Sequence, residues 1–202
     1  LIQLSIAPFG GSISSNRISE HTPWFQKVVF VGGVDLSYYS DFFEADSFAN
    51  ELKKLVCDNI LEVGPFYLFD SEFISSHRLT LEQYIAVRHF AINYWRLKIL
   101  EGISLAIGND LVLVGNSMRR PELKNAVLLS SIDDPSSIYM GARFNLDLGS
   151  QCGLEYQYGR SLEIYSRNEK SHITFRRSGG EIFPKSVLVD DLPDLLSHLR
   201  RK

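Results

Sequence analysis

The segment from Thr80 to Gly102, TLEQYIAVRHFAINYWRLKILEG, is apolar around most of a helical circumference. Four of its polar residues, Glu82, His89, Asn93 and Arg96, make one narrow stripe. Thr80 and Gln83 have capping-box spacing and Gly102 supplies a stop, so a long central helix is expected. The stripe reads as that helix's solvated side or an interface edge. Upstream, Ala45, Phe48, Ala49, Leu52, Leu55 and Val56 fall on one helical face behind Asp41 and Glu44, which predicts a first helix.

Short apolar runs predict strands at Ile2 to Ala7, Lys27 to Val34 and residues 65–70. ISLAIGNDLVLVG reads as a hairpin around Gly108-Asn109-Asp110, and residues 121–130 fit either a helix opened by Pro121 or a buried strand. From Ile138 onward the period changes to two. Phe144, Leu146 and Leu148 alternate, as do Leu154, Tyr156 and Tyr158, Leu162 and Ile164, and Ile173 and Phe175. Glycine or polar turns separate these sets, which predicts an antiparallel meander with one buried face. Leu192, Leu195, Leu196 and Leu199 then dock a closing helix whose acids precede its bases. The expected fold class is α+β: N-terminal strands with two helices, one long and central, then a C-terminal antiparallel meander closed by a terminal helix. It forms one domain over residues 1–202, with sub-halves at 1–134 and 135–202.

Composition changes this picture little. The chain's 202 residues are 45% hydrophobic and 12% aromatic, enough for a substantial core. A net charge of −3 points away from generic binding to nucleic acid or an anionic membrane. Two cysteines, Cys57 and Cys152, make a disulfide framework unexpected, and LIQLSIAPFGG lacks the features of a signal peptide. A soluble protein of the reducing cytoplasm is the expectation.

Four groups of residues are candidates for chemistry. The aromatic runs PWF at 23–25 and YYSDFF at 38–43 place Trp24, Phe25, Tyr38 and Tyr39 as anchors of a binding surface. Asp35, Asp70 and Glu72 follow apolar runs, and carboxylates at strand ends hold Mg²⁺ in metal-dependent nucleases. Arg119, Arg120, Arg176 and Arg177 form basic pairs that nucleic acid would meet, although Glu155, Glu163 and Glu169 are interleaved with the nearby tyrosines. Gly149-Ser150-Gln151-Cys152-Gly153 resembles the nucleophile turn of viral chymotrypsin-like cysteine proteases. That resemblance covers five residues, one longer than the G-x-C-G pattern. It implies a Cys152 nucleophile served by His21 or His77, with His172 in a substrate pocket. A cysteine opening a strand as a small apolar residue is the simpler reading.

No histidine or cysteine pair has zinc-site spacing, and no phosphate-loop sequence occurs. The function expected from these features is a non-enzymatic module that binds a macromolecule, most simply another protein, through its aromatic surface, without cofactor or membrane. A Mg²⁺-dependent phosphodiesterase or nuclease is the alternative, and a Cys152 hydrolase the third reading.

Overall fold

The computed structural model describes residues 21–63, 76–115, 118–130, 135–149, 160–176 and 185–200. Their strands are β1 (Val28–Val31), β2 (Leu111–Val114), β3 (Val127–Leu129), β4 (Phe144–Asp147), β5 (His172–Phe175) and β6 (Val187–Val189). Their helices are α1 (Ser40–Ala45), α2 (Ser47–Val63), α3 (Leu81–Ile107), α4 (Ser136–Gly141), α5 (Arg160–Asn168) and α6 (Leu192–Arg200). The strands form one sheet of order β3-β2-β1-β4-β5-β6. Every pairing in it is parallel.

This corrects the expected α+β fold and its antiparallel meander: the chain is α/β, with helices on both faces of a parallel sheet. Alternation misled at two places. Asn145, Asp147, His172 and Thr174 looked like the wet side of β4 and β5, yet all four are buried. Leu162 and Ile164, placed on a strand by their spacing of two, belong to α5. The evidence for parallel pairing lay elsewhere, in VVFV and LVLV, which carry apolar side chains on both faces as parallel strands do.

One face of the sheet carries the larger core. Val28 and Phe30 of β1, Leu111 and Leu113 of β2, Leu146 of β4 and Ile173 and Phe175 of β5 pack there against α2, α3 and α6. The other face is thinner, with Val29, Val112, Val114, Ile138 and Ala142 at its centre and Trp24 packed alongside. There α4 and α5 lie together. Its polar residues find local partners, although Asn145 Oδ1 has none among the described residues. Asn145 donates from Nδ2 to the Tyr139 carbonyl and the Ser171 hydroxyl at 2.9 and 2.7 Å. His172 Nδ1 lies 2.6 Å from Ser186 Oγ.

The helix boundaries follow from particular side chains. Thr80 and Gln83 form the capping box that opens α3. Asp46, rather than Asp41, opens α2, since its Oδ1 accepts from the Ala49 amide at 2.9 Å. The long helix does not stop at Gly102. It continues to Ile107 and ends on Gly108, whose φ of 52° suits glycine. Residues 103–106 are therefore helical, and the expected hairpin is a 3₁₀ turn at Gly108–Asp110 leading into β2. Gly102 instead lets α6 pack closely, since a Cβ there would lie 2.5 Å from Leu192 Cδ2 of α6. Residues 121–130 divide between the two expected forms, a 3₁₀ turn at Pro121–Leu123 and then β3. The strands expected at Ile2 to Ala7, at 65–70 and at Leu154 to Tyr158 lie outside the described residues.

Gly115, directly after β2, has a φ of 152°, and a Cβ on it would overlap the Gly32 carbonyl oxygen. Backbone cannot yield there as a leucine side chain can. Gly115→Ala is therefore expected to cost about 2 kcal/mol or more. Gly102→Ala, which gains helix propensity while displacing Leu192, is expected to stay within about 1 kcal/mol of wild type. Urea unfolding of both variants measures the difference.

Candidate functional site

In an open parallel sheet the chain leaves the centre in opposite directions, and the loops on either side part to leave a crevice at the carboxyl ends of the strands. Here the reversal falls between β1 and β4, which are paired to each other while β2 and β5 lie outside them. The loop after β1 begins Gly32-Gly33-Val34-Asp35, and the loop after β4 begins Leu148-Gly149.

Arg96 of α3 joins the two loops. Its guanidinium is buried, donating from Nε to the Leu148 carbonyl at 3.3 Å and from Nη1 to the Gly33 carbonyl at 3.4 Å. Nη2 donates to the Gly149 carbonyl. One turn earlier, Asn93 is fully buried. Its Oδ1 accepts from the Asp35 amide at 3.1 Å and its Nδ2 donates to the His89 carbonyl at 2.9 Å. The polar stripe expected to face solvent thus points, at Asn93 and Arg96, into the end of the sheet. Asp147 shapes the β4 side by accepting the Gly149 amide at 2.9 Å, in an Asx-type turn.

Ionisable groups gather at the β1 side. Asp35 accepts from the Ser37 hydroxyl at 2.8 Å and the Ser37 amide at 2.9 Å, and these bonds hold its carboxyl below the usual 3.8. Burial holds the His89 imidazole below its usual 6.5, with the Asp35 charge opposing and the Arg96 charge reinforcing this. Arg120 donates from Nη2 to the Val34 carbonyl at 3.3 Å, and its charge also favours ionised Asp35. The Arg120 Nε is buried with no hydrogen-bond partner among the described residues. Tyr38 and Tyr39 stand over the same group: their rings lie 5.1 and 5.4 Å from the His89 ring and meet edge to face at 4.9 Å. Tyr38 is 68% exposed. The site therefore offers a carboxylate, an imidazole, an arginine and an open aromatic face.

The structure separates some of the residues singled out from sequence. Trp24 packs on the thin face of the sheet, whereas Tyr39 packs against the larger core. Phe25 is half-buried in the turn before β1. Arg119 is exposed after β2, while Arg176 follows β5 and pairs with Asp190 at 2.8 Å. His172 is wholly buried on β5, its Nε2 3.5 Å from Asp147 Oδ2. Asp70, Glu72, Cys152 and Arg177 lie outside the described residues. Among the described residues no group of three or more His, Cys, Asp or Glu side chains gathers to hold a metal ion. No helix among them is long and apolar enough to cross a membrane.

Sequence reasoning named Asp35, Tyr38, Tyr39 and Arg120 separately and gave Asn93 and Arg96 to the surface. The available signal was the stripe itself, since an arginine and an asparagine on a helix this rich in apolar residues need partners if that helix is central. Comparison with protein-family models, with curated proteins and with solved structures gives no match.

The depressed His89 sets a pH dependence. As pH falls below 6.5 the unfolded chain takes up this proton before the folded one, so stability declines until the folded imidazole also titrates. Asp35 acts lower. Its contribution is present above 3.8 and is lost as pH falls through its depressed folded value. Denaturant unfolding across pH is expected to show that His89→Gln flattens the decline that begins near 6.5 and leaves the decline below 3.8 in place.

Proposed function

We propose that the chain binds an anionic small molecule of the nucleotide class in the crevice at the carboxyl ends of β1, β2 and β4. The carrying observation is the reversal of strand order between β1 and β4, with the loops on both sides tied by Arg96. The order 3-2-1-4-5-6 is the one on which doubly wound sheets bind dinucleotides at this point, an analogy at the level of topology. The local chemistry supports the same class. Arg120, bonded to the β1 loop, favours a negative group there, and the exposed Tyr38 ring offers the ligand an apolar face beside it.

No phosphate loop follows β1, where eight residues separate the strand from the short helix α1. Anion recognition in this reading therefore falls to arginine side chains rather than to a helix N-terminus. The ligand's charge would be met mainly by Arg120, with Asp35 placed to accept hydrogen bonds from sugar hydroxyls.

A second reading, docking of another protein, draws on the exposure of Tyr38 beside Tyr39. The two readings diverge at one residue pair. Arg120→Ala should weaken a nucleotide and leave a protein partner's affinity nearly unchanged, whereas Tyr38→Ala should weaken both.

Amide chemical shifts recorded while a nucleoside diphosphate is added test the crevice reading. Movement is expected at Gly32, Gly33, Gly115 and Gly149, at the carboxyl ends of the strands. Lys27, Asn109 and Ser171, at the amino ends, should stay still. Shifts confined to the amino ends, or none at millimolar nucleotide, would remove the proposal.

A further inference from the structure

Beside the crevice lies a pocket of about 220 Å³ lined, among the described residues, by Gly115, Arg119, Leu128, Leu129 and Ser130. It sits at the carboxyl ends of β2 and β3, and it is continuous in backbone with the β1 loop. The Gly32 amide donates to the Val114 carbonyl at 2.9 Å, and the Gly115 amide to the Leu129 carbonyl at 2.9 Å. Gly115 keeps the junction open, because any side chain there would strike Gly32. Resting on the crevice reading, we infer that this pocket holds the nucleobase of the ligand.

The walls decide between the two ends of a nucleotide. Among the described residues a phosphate would have one charged partner here, Arg119, and would sit beside Leu128, which cannot replace its water. A flat heteroaromatic ring gains the exposed apolar area of Leu128. The Arg119 guanidinium can lie over such a ring, since its plane stacks on aromatic faces. The Ser130 hydroxyl both donates and accepts, so it can meet the polar edge of any base. Size points the same way: pockets for whole drug-sized ligands run to roughly 300–1,000 Å³, so this one takes a single ring system. The phosphates are then left toward the crevice, where Arg120 is bonded to the β1 loop.

Leu128 is 37% exposed and Ser130 is exposed, so larger residues at these places fill the pocket without entering the core. Calorimetric titration of wild type, Leu128→Trp and Ser130→Trp with a nucleoside diphosphate and with inorganic pyrophosphate tests the inference. Both variants should bind the nucleoside diphosphate about tenfold or more weakly and pyrophosphate as wild type does. Melting temperatures near that of wild type check that each variant folds, and either variant alone suffices. If wild type binds the nucleoside diphosphate and a folded filling variant binds it equally well, the pocket inference is overturned while the crevice reading stands. If wild type binds neither probe, the crevice reading itself fails.

Discussion

The buried guanidinium of Arg96 is the interaction on which the functional end of this sheet depends. A cation removed from water needs several acceptors, and here three backbone carbonyls, from Gly33, Leu148 and Gly149, supply them. Those carbonyls belong to the two loops that diverge where the strand order reverses. A single side chain of α3 therefore sets the separation of the two loops. Asn93 extends the arrangement by fixing the Asp35 amide, so the position of Asp35 is also determined from the helix. Helix α3 can do this because its apolar surface is anchored along nearly its whole length in the larger core.

The same helix couples stability to function. Polar groups buried at the end of a parallel sheet cost free energy unless all are paired, and a network with one member removed is worse than none. Substituting Arg96 would strand three carbonyls and release two loops together. Replacing Tyr38, which is largely exposed, would alter binding chemistry with little effect on folding. The site thus divides into residues that hold its shape from below, Asn93 and Arg96, and residues that would face the proposed ligand, among them Tyr38, Arg119 and Arg120.

Much of the helical framework was legible in the sequence, because caps and 3.6-residue periods are local properties. The Thr80–Gln83 box and the leucines of α6 are examples. Strand direction was not legible, because pairing is set by distant partners. In β4 and β5 the polar residues that alternate with apolar ones are covered by α4 and α5 and bond within the protein, as Asn145 Nδ2 and His172 Nδ1 do, so a buried strand imitated a half-wet one. Gly102 shows the same limit: its role comes from Leu192, ninety residues away in sequence, and not from the end of a helix. The tie between the β1 and β4 loops was legible only as the stripe on α3. Nothing local distinguishes an arginine that meets solvent from one that meets the carbonyls of two remote loops.

Exchange of the Arg96 Nε–H with solvent, followed by nitrogen-15 NMR of the arginine side chains, tests the central claim most directly. Burial and donation to the Leu148 carbonyl predict that this proton exchanges far more slowly than those of exposed Arg119 and Arg200. An Arg96 Nε–H exchanging as fast as that of Arg119 would contradict the account, since the two loops would then have no common tie.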